Sequence, residues 1–189
     1  MNILYIFLFG IIGSFLTSDS NSSTSGQALL GSSSIIKNIN FSIKKIHSSI
    51  FHFLPILKFH EIILIKTDNK ELYTLDFTPI HQKETSTLFN LFIGNNVNAN
   101  IRIRNINISK NEINDKINEI KIIELWNNMN DISEKESEIL SKKTLNKIKN
   151  KSLKLFIKNS IIKWPNKMNL YKCNCIHYGN YVYRNYLDI

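Results

Sequence analysis

The spacing of hydrophobic residues changes along the chain, and the change predicts helices in some stretches and strands in others. Between Ile35 and Ile50, isoleucines recur every three or four residues, which is the period of an amphipathic helix. We expect a helix there, although β-branched residues favour one only weakly. From Lys58 to Lys66 the pattern becomes a short and mostly apolar run, which predicts a buried strand.

A β-hairpin is predicted next. Residues 67–70 have the composition of a turn, and residues 71–78 have the pattern expected of the second strand. With a three-residue loop that starts at Thr67, His60 would lie opposite Asp76 on one face of the sheet. A register shift of one residue would move Asp76 to the other face.

Residues beyond the hairpin predict a short helix and a further strand. Thr85–Ile93 predicts a helix that ends at Gly94. Ile101–Arg104 predicts a third strand, in which the alternation slips at Asn105 as it would at a β-bulge. Residues 119–126 fit either a strand or a short helix.

The C-terminal third of the chain is predicted to be helical. Ser133 and Glu136 have the spacing of a capping box, which opens a lysine-rich helical region that runs towards Trp164 with a break near Asn150. A last helix is predicted over residues 176–187. Together with the predicted strands, these helices indicate an α+β fold, with a small antiparallel sheet packed against helices.

The N-terminus is predicted to be a targeting leader. Residues 1–16 form an uncharged apolar block of the length of a signal-peptide core, without the usual basic start. Residues 17–34 are serine-rich, as in a linker or the second half of an organelle-targeting leader. We expect a leader and linker over residues 1–34, which would direct the protein to the secretory pathway or to an organelle such as the plastid, and one domain over residues 35–189. A membrane anchor or a buried N-terminal helix is the alternative.

The net charge of +9 does not by itself indicate nucleic-acid binding. Nearly all of the cations are lysines, and arginine is the residue that makes bidentate contacts with phosphates and bases. The only arginines are Arg102, Arg104 and Arg184. We therefore expect no specific nucleic-acid partner, and the lysine-rich segment 142–167 leaves binding to anionic lipid headgroups as a minority alternative.

Both cysteines lie in the short stretch Cys173-Asn174-Cys175. At this spacing they are poorly placed to bridge each other, and the chain has no set of His and Cys residues at zinc spacing. We therefore expect neither a structural metal nor a cofactor. Cys175 directly precedes the last predicted helix, whose positive N-terminal end lowers the pKa of a thiol and favours the nucleophilic thiolate.

A cysteine nucleophile needs a base and a group that orients the base. His177 is only two residues from Cys175 on the same helix start, where the two side chains diverge, so His60 on the first hairpin strand is the better candidate base. Asp76 on the facing strand is the candidate orienting group. Taken singly, the three residues have simpler interpretations: a small buried thiol, a hydrogen-bonded core histidine and a strand-end cap.

The block Asn174-Cys175-Ile176-His177-Tyr178 resembles the Asn-Cys-x-His-Phe block of circularly permuted papain-like enzymes. These include lecithin retinol acyltransferase-like proteins and the PPPDE-type isopeptidases. In that family the catalytic histidine comes first, on a strand of a small sheet, and the cysteine comes last, at the start of a helix, as in this chain. The stretch from Asn169 to Tyr181 also resembles plant and algal proteins of this type. Tyr178 stands where the family has phenylalanine, and residues 85–165 carry no motif of the family.

The resemblance implies Cys175 as nucleophile, His60 as base and Asp76 as the third residue, in a permuted papain-like domain. It implies a thiol-dependent hydrolase or acyltransferase that acts on an amide, isopeptide or ester through a cysteine thioester. The substrate would be a peptide, a protein conjugate or a lipid acyl group. The alternative is a catalytically inactive interaction protein of the same fold, in an organelle or associated with a membrane through residues 1–16.

Overall fold

A five-stranded antiparallel sheet organises the part of the chain that the computed structural model describes, which is residues 40–48, 60–106, 119–129 and 133–188. In chain order and in sheet order the strands are β1 (Phe41–Ser48), β2 (His60–Thr67), β3 (Leu72–Pro79), β4 (Val97–Asn105) and β5 (Lys167–Met168). The described helices are α1 (Thr85–Phe92), α2 (Glu119–Asn128), α3 (Glu134–Lys147), α4 (Lys151–Ile162) and α5 (Cys175–Leu187). The predicted α+β fold with an antiparallel sheet is confirmed.

Helices cover both faces of the sheet. Successive side chains of a strand point to opposite faces, so each strand contributes to both buried layers. Ile63 and Leu75 pack on the layer formed by α4 and α5. Ile62 and Leu64 pack on the other layer, where Trp126 of α2 lies. Burial on both sides explains why the sequence of β2 is a nearly continuous apolar run.

The predicted helix at residues 35–50 is wrong where the structure describes it. Residues 41–48 form strand β1, which pairs with β2 from Phe41 opposite Thr67 to Ser48 opposite His60. The helix-like spacing arises because Ile43 packs on the α4 and α5 side of the sheet and Ile46 on the α2 side. Two-sided burial can therefore imitate a helical period in a strand.

The hairpin of β2 and β3 is confirmed, but its register differs by two residues from the prediction. Ile63 pairs with Leu75, where the predicted loop would have placed Tyr73, because the turn is longer than expected. Side chains alternate with a period of two, so a shift of two residues keeps each of them on its face. His60 and Asp76 therefore still lie on the same face.

The predicted β-bulge at Asn105 is also wrong. Strand β4 pairs regularly with β3 from Tyr73 opposite Asn105 to Pro79 opposite Ala99. Ile103 is buried on the α4 and α5 side and Ile106 on the α2 side, so the apparent slip is a change of the buried face. The ambiguous stretch 119–126 is helical and belongs to α2.

The predicted helices of the C-terminal third are present, and the last one begins at Cys175, one residue earlier than predicted. Ser133 accepts a hydrogen bond from the N–H of Glu136, and the Glu136 carboxylate accepts one from the N–H of Ser133 at 3.0 Å. Asn150 caps α4, where the break was expected. The predicted leader, residues 1–34, lies outside the described residues, and none of the described helices is long and apolar enough to cross a membrane.

Gly94 ends α1 and anchors the loop that leads to the two cysteines. Its φ of +84° is in the left-handed region, and the next N–H, that of Asn95, donates to the carbonyl of Asn90 at 2.8 Å, which closes the helix end. The Gly94 carbonyl accepts a hydrogen bond from Asn169 Nδ2 at 2.6 Å, and the ring of Tyr171 packs beside it. The end of α1 thus holds the segment before α5.

Replacing Gly94 with alanine should lower the free energy of unfolding by about 1 kcal/mol or more, because alanine tolerates a positive φ poorly. Its Cβ would also lie 3.4 Å from the Tyr171 ring. Gly94→Asn is the matched control, since asparagine adds the same Cβ but adopts the left-handed region more readily. Urea unfolding of the three proteins measures the effect, and equal stability of the alanine and asparagine variants would contradict the backbone argument.

Candidate active site

His60 and Asp76 lie together on the buried α2 side of the sheet. His60 is the first residue of β2 and is 7% exposed, while Asp76 lies within β3 and is completely buried. The Nε2 atom of His60 is 3.4 Å from Oδ2 of Asp76, a long hydrogen bond. The pairing predicted from the hairpin is therefore present, although the two residues are diagonal neighbours and not directly opposite.

Cys175 is the first residue of α5, and Asn174 caps this helix. The Oδ1 atom of Asn174 accepts hydrogen bonds from the N–H groups of Ile176 and His177, each at 3.0 Å. Its Nδ2 donates to the carbonyl of Leu170 at 2.7 Å, which fixes the orientation of the amide. The Cys175 side chain is thereby held at the positive end of α5.

The structure brings Cys175 to His60. The two side chains are joined by a hydrogen bond, and the charge of each acts on the other. The Cys175 sulphur also accepts hydrogen bonds from the backbone N–H groups of Glu61 and Ile176. All three residues predicted for the site therefore converge, in the order Asp76, His60, Cys175.

His177 does not contact the group formed by Asp76, His60 and Cys175. Its Nδ1 accepts from the N–H of Asn174 at 3.4 Å and lies 2.9 Å from Asn174 Oδ1, so the ring completes the cap of α5. The side chain is exposed. This agrees with the expectation that His177 is poorly placed to serve as the base for Cys175.

Arg102 neutralises Asp76 and was not predicted as a site residue. It lies directly opposite Asp76 on β4. Its Nε donates to Asp76 Oδ2 at 2.9 Å, and Nη2 donates to the same oxygen. The oxygen that faces His60 is thus the one that Arg102 holds.

Trp126 of α2 covers the pair and was also not predicted. Its ring stacks on His60 with centroids 5.2 Å apart, and its Nε1–H donates to Asp76 Oδ1 at 3.3 Å. The guanidinium groups of Arg102 and Arg104 lie 5.5 and 6.0 Å from the centre of its ring. Trp126 therefore shields the His60–Asp76 hydrogen bond from water, which strengthens the electrostatic interactions beneath it.

Burial and neighbouring charges shift the pKa values of Asp76, His60 and Cys175. Burial by itself raises the pKa of Asp76, but the charge of Arg102 and the hydrogen bond with His60 hold that pKa well below its usual range. Burial lowers the pKa of His60, yet its hydrogen bonds with Asp76 and Cys175 raise it from 6.5 to about 9. Burial raises the pKa of Cys175, but the hydrogen bond and charge of His60 bring it below its ordinary value.

The two thiols are consequently unequal. Burial raises the pKa of Cys173. The Cys173 backbone pairs with that of Asn169 in a short antiparallel bridge, so this residue belongs to the loop before α5. At a given pH the thiolate is therefore more favoured at Cys175 than at Cys173.

The described residues also form a cleft, and they contain no cluster of metal ligands. A cleft of about 660 Å³ runs beside β4 and α3, and His60, Asp76 and Cys175 are not among the residues that line it. Within the described ranges, no three His, Cys, Asp or Glu side chains are grouped as a metal site would require.

No protein-family model, curated protein or solved structure matches the chain. The roles of the site residues therefore rest on the geometry above and on the short block from Asn174 to Tyr178.

Iodoacetamide near neutral pH should modify Cys175 faster than Cys173, because only the thiolate reacts and only Cys175 has a lowered pKa. Peptide mass spectrometry of Cys173→Ser and Cys175→Ser, each with a single thiol, measures the two rates. His60→Gln should remove most of the preference. Equal or faster labelling of Cys173 in the otherwise unchanged protein would contradict the prediction.

Asp76→Asn should lower the pKa of His60 from about 9, because a neutral amide loses the attraction to the imidazolium. A histidine whose pKa is raised by folding contributes its full stabilisation at pH values below its unfolded pKa of 6.5. This stabilisation is lost as the pH rises through the folded pKa of about 9. Between about pH 6 and pH 9.5 the unchanged protein should therefore lose up to about 3 kcal/mol more unfolding free energy than the variant.

Urea unfolding at the two pH values tests this. Loss of the partner of Arg102 lowers the stability of Asp76→Asn at every pH, so the pH-dependent difference is the informative quantity. Asp68→Asn, in the exposed turn before β3, is the control and should behave like the unchanged protein. The same pH dependence in Asp76→Asn would contradict the proposed coupling.

Proposed function

We propose that this protein is a thiol-dependent hydrolase or acyltransferase that acts on an amide, isopeptide or ester through a thioester on Cys175. The observation that carries this proposal is the meeting of three residues: His60 at the start of β2 lies 3.4 Å from Asp76, and the same histidine interacts with Cys175 at the start of α5. A buried structural thiol has no need of a histidine that also faces a carboxylate. The combination is what nucleophilic catalysis by cysteine requires.

In this proposal the proton of the pair is on His60 when Cys175 attacks, and the raised pKa of His60, about 9, and the lowered pKa of Cys175 both favour that arrangement. The Cys175 thiolate attacks the carbonyl carbon and forms a C–S bond. His60 then gives its proton to the departing nitrogen or oxygen as the C–N or C–O bond breaks, and a thioester remains.

The second half of the reaction uses His60 as a base. The neutral imidazole takes a proton from water, or from a second nucleophile, as that group attacks the thioester carbonyl. The C–S bond breaks and the Cys175 thiolate is restored beside the imidazolium. Asp76 keeps the ring oriented throughout and stabilises its charged form.

The oxyanion of each tetrahedral intermediate requires hydrogen-bond donors near the sulphur. The N–H of Cys175 is the first of α5 and belongs to the residue that carries the sulphur. It is the donor that the position of Cys175 supports best. The positive end of the α5 dipole favours the same negative charge.

The chain order supports a permuted papain-like relationship. The histidine comes early, on a strand of a small antiparallel sheet, and the cysteine comes late, at the first residue of a helix capped by Asn174. Cys175 is only 8% exposed, which favours an acyl group or peptide arm slender enough to reach the sulphur.

A covalent acyl-enzyme should form when the full chain is mixed with activated amide, isopeptide or ester substrates at neutral pH. Intact-protein mass spectrometry should show the added acyl mass, peptide mapping should place it on Cys175, and hydroxylamine should release it as expected of a thioester. Cys173→Ser should keep the adduct, whereas Cys175→Ser and His60→Gln should lose it or slow its formation by at least about 100-fold.

An adduct on Cys173 would overturn the proposal. So would the absence of an adduct with all three substrate classes while Cys175 still reacts with iodoacetamide. That second outcome would favour the catalytically inactive interaction protein.

A further inference from the structure

The carboxylate of Glu61 lies directly on the backbone of α5 at Gly179. A Cβ atom added to Gly179 would overlap Oε1 of Glu61 and lie 2.7 Å from Cδ and 3.2 Å from Cγ, and these are its nearest neighbours. The separations from Oε1 and Cδ are too short for real atoms. Glycine is therefore required here to leave space for the Glu61 side chain.

Two basic side chains of β1, Lys45 and His47, lie against the same carboxylate. Lys45 Nζ lies 3.2 Å from Oε1, and His47 Nε2 lies 3.4 Å from Oε2. The Glu61 side chain itself is only 4% exposed. Lys45 also donates to the side chain of Asn180, next to Gly179 on α5. Glu61 therefore links β1, β2 and α5 at one buried point.

Glu61 also touches the nucleophile through its backbone. Its N–H donates to the Cys175 sulphur, and its neighbour in β2 is His60, the base. Gly179 follows Cys175 by four residues and so lies one turn along the same side of α5. The side chain and the backbone of one residue thus hold the first two turns of α5 against the start of β2.

From this arrangement we propose that Glu61 is a positioning residue, whose carboxylate seats in the space left by Gly179 and thereby sets Cys175 against His60. Glu61 makes no contact with substrate in this proposal and acts through the geometry of the thiol. The inference rests on the proposed function only in taking Cys175 as the nucleophile.

Gly179→Ala tests the proposal, with the alkylation rate of Cys175 across pH as the readout. The methyl group must displace either the carboxylate or the helix, so Cys175 should move away from the donors that stabilise its thiolate. We expect its alkylation at neutral pH to slow by about tenfold or more, with the pH midpoint moved upward. Cys173 in the same protein is the internal control and should react at an unchanged rate.

A second variant separates this contact from a general effect on packing. In Glu61→Ala the space beside Gly179 is empty, so adding Gly179→Ala to that background should slow Cys175 by less than about twofold. Glu61→Gln keeps the shape without the charge and should retain most of the reactivity of Cys175. A change that alters packing alone would not depend on residue 61 in this way.

The outcomes are distinct. Should Gly179→Ala fail to fold, as judged by circular dichroism, while the double variant folds and reacts like Glu61→Ala, the contact is supported. A Gly179→Ala effect of the same size in both backgrounds, loss of folding in both, or a change of less than twofold in the otherwise unchanged protein would overturn the inference. Failure of Cys175 to react preferentially in the parent chain would instead count against the proposed function.

Discussion

The buried carboxylate of Asp76 is the constraint on which the rest of the site depends. A carboxylate with no exposed surface is stable only if charges and hydrogen bonds replace its water, and here Arg102, His60 and Trp126 do so. These partners come from β4, β2 and α2. Removing one partner of a buried ion pair typically costs about 3–5 kcal/mol, so the geometry of the site is tied to the stability of three elements.

Alternation along β2 explains how one strand serves both layers of helices. His60 faces the α2 side, where Asp76 and Trp126 lie, and the next residue, Glu61, faces α5 and meets Gly179. Cys175 begins α5 at the end of the sheet where β2 begins, and it is reached from the His60 side chain and the Glu61 backbone together. His60 and Glu61, whose side chains point to opposite faces of the sheet, therefore hold the start of α5 from two sides.

Local patterns along the chain were sufficient to predict the hairpin, the cap at Ser133, the break near Asn150 and the shared face of His60 and Asp76. The meeting of His60 with Cys175 was expected from the need of a cysteine nucleophile for a base and from the resemblance of the block around Cys175. They failed where burial on two faces changes the apparent period, as in β1 and at Asn105, because periodicity reports which side chains are buried and not in which layer. The register of the hairpin was off by two residues, an even number, and this kept Asp76 on the correct face. The roles of Arg102 and Trp126 depend on contacts across β4 and α2. The only signal for Arg102 was that it and Arg104 are two of the chain's three arginines and sit in a strand.

Arg102, Asp76 and the charged forms of His60 and Cys175 alternate in sign, and in the proposed mechanism this order lets His60 act both as an acid and as a base. Without Arg102, the full charge of Asp76 would act on His60 and hold its proton more firmly. A firmly held proton favours the thiolate but makes the imidazolium a weaker acid towards a leaving group. By binding the oxygen that faces His60, Arg102 moderates that attraction, while Trp126 keeps water from weakening it further. In the proposed mechanism Arg102 thus balances the nucleophilicity of Cys175 against the acidity of His60.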